Sequence, residues 1–345
     1  MGSATSAHAE DKKVSASSVW DSFLEKASGQ AFASGYYMFN AHTTAGAYNT
    51  VGYPYTINQG FGLNFAGLDG AYDGDDLGVT VNLRFGTAAA ALTPLAPIKQ
   101  AYGTWKVSDS FSLDLGFFDT IYGAEVADEW ANVNFSRGAL YFTRQPFNHM
   151  GARGNIAVGD NTNIAFIIAN GTVFGGQPID DNEVPSFGGQ ISFSGDSSFL
   201  AIGYIAGPNG TDGNGRFSHL IDIVNTYTID KLSIIANVDV TIDPEPAEGA
   251  DLALQYGGSL AFAYETSATT SFGLRGEFLG SNDTGGPEDY LVTVTGTIRY
   301  KPTPNLIISV EPRAEFSDLR LFVADDGNKK WFFGGIVGLT AVIGS

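Results

Sequence analysis

The sequence predicts an all-β fold, a transmembrane antiparallel β-barrel of about 16 strands with short periplasmic turns and long external loops. Two observations lead to this prediction: apolar and polar residues alternate through most of the chain, and short connections alternate with long ones. The chain has 345 residues, 44 of them glycine, and only 16% are charged. No apolar run approaches the ~18 residues that a spanning helix needs, so a membrane-spanning form has to be a closed barrel.

The stretch LGVTVNLRFG, residues 77–86, shows the alternation most clearly. Its odd-numbered residues, from Leu77 to Phe85, are apolar, whereas its even-numbered ones are glycine, threonine, asparagine and arginine. Successive side chains of a strand point to opposite faces, so one face is apolar throughout. The same pattern recurs in 16 segments: 37–41, 61–65, 77–85, 101–107, 111–117, 150–158, 164–168, 187–193, 200–204, 221–229, 232–242, 252–264, 272–278, 290–300, 306–316 and 333–343.

The connections between these segments form a second pattern. Short polar turns such as YDGDD (72–76) and KPTPN (301–305) alternate strictly with longer connections. A soluble sandwich has no reason to keep all its long loops at one end, whereas an outer-membrane barrel has short periplasmic turns and long external loops. The apolar face of each strand is therefore expected to contact lipid. Fourteen or eighteen strands remain as alternatives to about sixteen.

Composition and charge exclude several functional classes. The formal net charge of −19 argues against nucleic acid as a partner, because phosphate binding needs a basic surface. The absence of cysteine removes disulfides, cysteine metal sites and thiol nucleophiles. The four histidines are scattered and show no metal-binding or nucleophile spacing. The sequence therefore predicts no enzyme, with no catalytic residue, no metal site and no cofactor.

Residues 1–29 are expected to stand apart from the barrel, which is assigned to residues 30–345. The first three residues resemble the remnant of an expression tag. Residues 14–28 place apolar side chains on one helical face. This short amphipathic segment is expected either to pack at the periplasmic end of the barrel or to plug its lumen.

Part of the chain resembles the OmpL-like family of β-barrel porins. The resemblance covers roughly a third of the chain, between about residues 60 and 170. It implies an outer-membrane porin of a Gram-negative bacterium and implies no particular substrate. Phe117 and Phe118 stand where the family pattern has a basic residue. The stretches that show the resemblance are LNFAGLDGAYD (63–73), QAYGTWKVSDSFSLDLGFFDTIYGAE (100–125) and FSRGALYFTRQPFNHMGARGNI (135–156).

Charged residues on the inward faces of the strands are the candidate pore lining. Many ionisable groups would be unfavourable in a filled core but are tolerated in a hydrated lumen, and about sixteen strands leave a channel open. Alternatively, the arginines pair with the nearby glutamates and brace the barrel wall. The predicted pore-lining residues are Arg84, Asp114, Arg153, Asp222, Asp239, Arg275, Glu277, Arg299, Glu311, Arg313 and Glu315.

The connection 120–147 is the longest and is predicted to be the constriction element. Loops of this length usually have a function or are disordered. Folded into the lumen, its carboxylates would narrow the opening and face the arginines of the wall. Folded outward, it would cover the rim. Its candidate constriction residues are Glu125, Asp128, Glu129, Arg137 and Arg144.

These features predict an integral protein of the bacterial outer membrane that forms a water-filled channel for passive diffusion of small hydrophilic solutes or ions. Acidic external loops indicate a weak preference for cations. The alternative is an electrically closed barrel that serves as an adhesin, a structural anchor or the sheath of another outer-membrane complex. Expected partners are outer-membrane lipid, lipopolysaccharide and the solute. Monomer and homotrimer are both compatible with the sequence.

Overall fold

The described part of the chain forms a closed barrel of 16 antiparallel strands in this computed structural model. The structure describes residues 23–41, 59–175, 184–208, 216–244, 251–282, 289–322, 324 and 326–344. The predicted tag remnant and most of the predicted amphipathic segment lie outside these residues. The predicted fold class is confirmed, with sixteen strands rather than fourteen or eighteen.

Each strand pairs with its neighbour in the chain, and β1 pairs with β16 to close the barrel. The strands are β1 (Ala27–Asn40), β2 (Gly60–Asp73), β3 (Leu77–Phe85), β4 (Ile98–Ser108), β5 (Phe111–Asp119), β6 (Asn148–Val158), β7 (Thr162–Ala169), β8 (Ser186–Ser194), β9 (Ser198–Pro208), β10 (Phe217–Ile229), β11 (Leu232–Asp243), β12 (Ala253–Glu265), β13 (Thr270–Ser281), β14 (Asp289–Thr303), β15 (Leu306–Ser317) and β16 (Trp331–Gly344).

The outer surface carries the apolar side chains that the alternation predicts. In β3, Leu77, Val79 and Val81 are exposed, whereas Arg84 on the opposite face is fully buried. A soluble protein rarely exposes a contiguous apolar surface of this extent. In a barrel with a lipid-facing exterior, this surface contacts the acyl chains.

The helices in the described part of the chain are short. They are α1 (Ala89–Leu92), α2 (Ala139–Arg144) and a 3₁₀ turn at Glu129–Ala131. Among the described residues, no helix is long and apolar enough to cross a membrane.

Two details of the predicted strands were wrong. Strand β1 begins at Ala27, inside the predicted amphipathic segment and before the predicted first strand at 37–41. Its outward residues there include Ala31 and Ala33, which are too small to give a clear alternation. In β2, the register shifts so that Ser34 opposes Phe65 while the next residue opposes Leu63. The resulting bulge points Phe65 inward, where it is fully buried.

The apolar core lies inside the barrel, around the segment 120–147, which we call the lumen loop. Its ends meet at one rim, where the Thr120 N–H donates to the Phe147 carbonyl at 3.1 Å. Phe135 and Leu140 of the loop share a cluster of buried apolar residues with Phe332 of the wall. Further clusters join other parts of the loop to β1–β2 and to β5, β7, β9 and β10. The loop therefore occupies much of the interior that the strands enclose.

Candidate functional site

The candidate site is the contact between the lumen loop and the inward faces of the strands. The loop folds mostly without regular structure, so its backbone N–H and C=O groups need partners outside secondary structure. The wall supplies many of these partners through charged side chains. The chemistry of the contact differs from one side of the barrel to the other.

Strands β3 and β4 hold an acidic residue of the loop. The Asp128 carboxylate accepts from Arg84 Nε at 2.9 Å and from Lys99 Nζ at 3.0 Å. Burial opposes ionisation of Asp128, but Lys99 and Arg84 outweigh it and hold its pKa below the ordinary range. Arg84 also stacks over the ring of Phe32, with its guanidinium carbon 4.2 Å from the ring centroid. This acid is therefore anchored as a carboxylate between two cations.

Strands β13–β15 hold the loop backbone through arginines that donate to its carbonyl groups. Arg299 donates to the carbonyls of Glu129 at 2.6 Å and Asn134 at 3.0 Å. Arg313 donates to the Arg137 carbonyl at 2.9 Å. Each guanidinium has several fixed donors and can satisfy more than one carbonyl.

Arg275 and Arg313 also pair with acids. Arg275 forms an ion pair with Glu125 of the loop and donates to the Ser136 carbonyl at 2.9 Å. Arg313 pairs with Glu315 in the same strand at 2.6 Å. Both guanidinium groups are thus shared between a carboxylate and the loop backbone.

Glutamates on the same strands accept from loop N–H groups. Glu311 accepts from the N–H groups of Phe135 and Ser136, the latter at 2.9 Å. Glu277 accepts from the N–H groups of Ala139 at 3.1 Å and Leu140 at 3.0 Å. These two N–H groups belong to the first turn of α2, where carboxylates satisfy unpaired donors and interact favourably with the helix dipole.

Strands β2 and β16 bind Glu129. Its carboxylate accepts from Asn64 Nδ2 at 2.8 Å and from Thr340 Oγ1 at 2.9 Å. Asn64 lies between Leu63 and Phe65, at the irregularity of β2. The irregularity therefore turns an amide toward the loop.

Strands β10 and β11 contact both ends of the loop. The Gly123 N–H donates to Asp222 Oδ1 at 3.1 Å, and the Ala124 N–H donates to Asn237 Oδ1 at 2.9 Å. From the other end of the loop, Gln145 Nε2 donates to Asp239 Oδ2 at 2.7 Å. This side of the contact offers the loop acceptors rather than cations.

Among the described residues, two cavities bordered by inward strand residues bear on a passage through the barrel, and a third, of about 260 Å³, lies beside Thr143 and Arg144 of the loop. One, of about 660 Å³, is bordered near the short turns by Asp75, Asp76 and Lys106 together with inward residues of β5–β7. The other, of about 70 Å³, lies between the lumen loop and the wall and is bordered by Glu125 and Arg275. The cavity at the short turns is therefore larger than the one between the loop and the wall at Glu125.

The predicted pore-lining residues all project into the barrel, but their burial differs from the expectation that they face water. Ten of the eleven are under 9% exposed, and their partners are other charged groups or the lumen loop. Arg153 is the exception, and it pairs with Asp114 at 2.8 Å. Arg275 borders the narrow cavity. The role of the set as pore lining stays a prediction.

The predicted constriction residues have different neighbours. Glu125, Asp128 and Glu129 contact the wall as described above. The Arg137 side chain is fully buried, with its guanidinium carbon 5.8 Å from the ring centroid of Phe65. Arg144 lies at the end of α2 and donates to the Thr143 carbonyl. Their part in a constriction also stays a prediction.

Sequence reasoning missed several residues of the contact, among them the uncharged Thr340. Asn237 and Gln145 are uncharged, although Asn237 shares the inward face of β11 with Asp239 and could have been found by including amides. Lys99 lies where the register between β3 and β4 shifts, so alternation alone misplaces it. Asn64 lies at the corresponding irregularity of β2. Strand irregularities therefore explain why two of the missed residues, Lys99 and Asn64, were not found.

A closed 16-stranded barrel with an apolar exterior and a charged interior crossed by a loop defines the class of outer-membrane porins. The sequence profile of the family described as "beta-barrel porin-2, OmpL-like" matches residues 26–343, nearly the whole chain. The chain belongs to this family, which confirms the resemblance seen in the sequence. The protein is an integral outer-membrane porin channel. No curated protein matches the chain.

Solved structures of outer-membrane proteins share the fold. An anion-selective porin from Comamonas acidovorans has a TM-score of 0.65 at 11% identity, covering 92% of this chain and 99% of its own. The outer-membrane channel DcaP of Acinetobacter baumannii has a TM-score of 0.63 at 14% identity, covering 92% and 97%. The trimer form of OmpT from Vibrio cholerae has a TM-score of 0.63 at 12% identity, covering 92% and 99%. At these identities the likeness concerns the fold.

Proposed function

We propose that this porin is a narrow, water-filled channel through which ions and small hydrophilic solutes diffuse passively, with a weak preference for cations. The observation that carries the proposal is the pair of interior cavities, about 660 Å³ near the periplasmic turns and about 70 Å³ beside the lumen loop. A wide vestibule and a narrow, charged passage suit selection by size and charge.

The cation preference rests on which charges are accessible. At the narrow cavity, the Glu125 side chain is 18% exposed, whereas its partner Arg275 is 1% exposed. Water-filled space beside this pair therefore meets the carboxylate more than the guanidinium. A passing cation is attracted to that carboxylate, and a passing anion is repelled.

In most other ion pairs of the interior, the carboxylate is likewise more exposed than its cationic partner. Asp69 is 24% exposed, whereas Arg84 is fully buried. The pair of Arg153 and Asp114 is reversed, with the arginine the more exposed partner. The opposing contribution of Arg153 makes the expected preference weak rather than strong.

A closed barrel is the second candidate, and the dense anchoring of the lumen loop favours it. Loop residues form hydrogen bonds with groups of β2–β4, β9–β11 and β13–β16, which leaves little space between the loop and the wall. In this account the barrel serves as an adhesin, an anchor or a sheath. It requires that water does not form a continuous path past the loop.

Planar-bilayer recording separates the two candidates. Purified protein inserted into a bilayer is expected to give stepwise ionic currents, and a salt gradient is expected to give a small reversal potential of cation-selective sign. Folding is checked independently by the shift in gel mobility on heating. A folded, inserted protein that carries no current would refute the channel and favour the closed barrel.

A further inference from the structure

The residues just before β1 lie on the lipid-facing side of the periplasmic rim. Phe23 stacks on the ring of Tyr72, with the ring centroids 5.1 Å apart and the ring planes 6° from parallel. Tyr72 is paired with Val79 in the register of β2 and β3, and Val79 is exposed on the outer surface. Residues directly opposite each other on two strands share a face of the sheet. The Tyr72 and Phe23 rings therefore lie outside the barrel rather than in its lumen.

Two further contacts hold this part of the chain at the rim. The Asp73 N–H donates to the Lys26 carbonyl at 2.9 Å, and Lys26 Nζ pairs with Asp75 at 2.7 Å. Asp73 ends β2, and Asp75 belongs to the short turn that follows it. The backbone and the Lys26 side chain are thus bound to the periplasmic end of the strand that carries Tyr72.

The Phe23 contact lies at the depth of the boundary between lipid and water. Tyrosine and tryptophan collect at such boundaries, where the ring contacts apolar chains and the polar atom reaches water. Outward aromatic side chains near the short turns form what we call the periplasmic girdle. Its members besides Tyr72 are Trp105, Tyr227, Tyr264 and Tyr300, which are 47–54% exposed. Phe23 therefore packs against one member of this girdle.

Apolar side chains beside this contact are largely exposed. Leu24 is 63% exposed, which is close to the 61% of Leu77 on the lipid-facing side of β3, and Phe23 is 42% exposed. In the sequence, Val19 and Trp20 fall on the same helical face as Phe23 and Leu24. An amphipathic segment with an apolar face of this kind is typical of a helix that lies in a membrane interface.

We propose that the predicted amphipathic segment is a lipid anchor at the periplasmic rim, bound to Tyr72 through Phe23, with Phe23 and Leu24 in contact with phospholipid of the periplasmic leaflet. The partner is a phospholipid surface because these exposed apolar side chains adjoin the lipid-facing surface of the barrel. This arrangement excludes the alternative of a plug in the lumen. It goes beyond the proposed channel function, since it concerns how the start of β1, the strand that pairs with β16, is held in the membrane.

Single-cysteine labelling tests the anchor, because the chain has no cysteine of its own. An environment-sensitive fluorophore is attached to Leu24→Cys, and the full-length protein is reconstituted into vesicles of phosphatidylethanolamine and phosphatidylglycerol. Leu77→Cys is the control for a lipid-facing site of similar exposure at the same rim. Ser197→Cys, in a short turn, is the control for a site in water. Each label is quenched separately with brominated lipid and with iodide.

The label at Leu24 is expected to behave as the label at Leu77 does. Its emission should shift to shorter wavelength, brominated lipid should quench it to about the same extent, and iodide should quench it little. Iodide quenching as strong as at Ser197 would overturn the proposal and place the segment in periplasmic water. Protection from both quenchers would also overturn it and favour a plug in the lumen. These measurements do not depend on ion conduction, so they test the anchor separately from the channel.

The role of Tyr72 is tested in the protein labelled at Leu24. Tyr72→Ser removes the ring on which Phe23 stacks, and it is expected to raise the ratio of detached to bound segment, measured by iodide quenching, by roughly two- to tenfold. Tyr264→Ser is the matched control, because it removes a ring of the periplasmic girdle from β12, which does not neighbour β2 in the barrel. An equal response to the two substitutions would overturn the assignment of Tyr72 as the binding site of the segment.

Discussion

The two sides of the barrel hold the same loop with different chemistry. On β13–β15, arginines donate to loop carbonyls while glutamates accept from loop N–H groups, so charges of both signs are balanced locally. On β10–β11, the wall presents acceptors alone, and two of them are carboxylates. The comparison shows that β13–β15 hold the loop with charges of both signs, whereas on β10–β11 the two carboxylates are met by backbone and amide N–H groups.

The largest effect is expected from Glu311→Ala on the balanced side. The substitution leaves the N–H groups of Phe135 and Ser136 without their acceptor, which costs about 1–3 kcal/mol for each buried donor. The lumen loop should detach in part, raising single-channel conductance and current noise. Ser309→Ala is the matched control on the same inward face of β15. Wild-type current from Glu311→Ala would show that the balanced side does not hold the loop.

A smaller effect is expected from neutralising the arginines one at a time. Arg275 borders the narrow cavity, whereas Arg313 lies between the loop backbone and the wall. A unit charge about 4 Å from a passing ion changes its energy by about 1 kcal/mol in bulk water. Arg275→Gln should therefore raise the cation-to-anion permeability ratio several-fold at most, and Arg313→Gln should raise it less. Reversal potentials in a salt gradient measure the permeability ratio of both variants. A larger shift for Arg313→Gln than for Arg275→Gln would refute the placement of Arg275 nearer the passage.

The smallest effect is expected from pH, through Glu125. Burial raises the pKa of Glu125, and the nearby Arg275 offsets this only in part. As the pH falls, Glu125 therefore takes up a proton before an ordinary glutamate does. Cation preference should decline over this pH range.

Reversal potentials recorded from neutral to acidic pH measure the decline, and Glu125→Gln is the control. This variant should show weak cation preference already at neutral pH and little further change over the range in which the wild type responds. An identical pH dependence in both proteins would exclude Glu125 as the titrating group.

Much of the barrel could be predicted because apolar, lipid-facing side chains alternate with polar, inward-facing ones along each strand. This pattern can be recognised in one strand without knowing its neighbours. The predicted bounds of β3 match the structure at both ends. Strand β9 was harder, because it is apolar on both faces. Its inward Ile205 belongs to a buried cluster with Tyr122 of the lumen loop, so the second apolar face contacts protein rather than lipid.

The site could be predicted only in part, because alternation places a side chain on the inner face without naming its partner. It put Glu311 and Arg299 inside the barrel. It could not show that each binds the backbone of a loop more than 160 residues away in sequence. A contact with a backbone group cannot be inferred from the type of the residue that carries it. The anchoring of the loop could therefore be seen only in the structure.

Single-channel recording of a variant with a shortened lumen loop tests the central claim most directly. Residues 127–142 are replaced by a short glycine-serine linker, and the conductance is compared with that of the wild type in the same salt. If the loop narrows a water-filled pore, the wild type conducts in small steps and the shortened variant in much larger ones. Equal conductance in the two folded proteins would contradict the account.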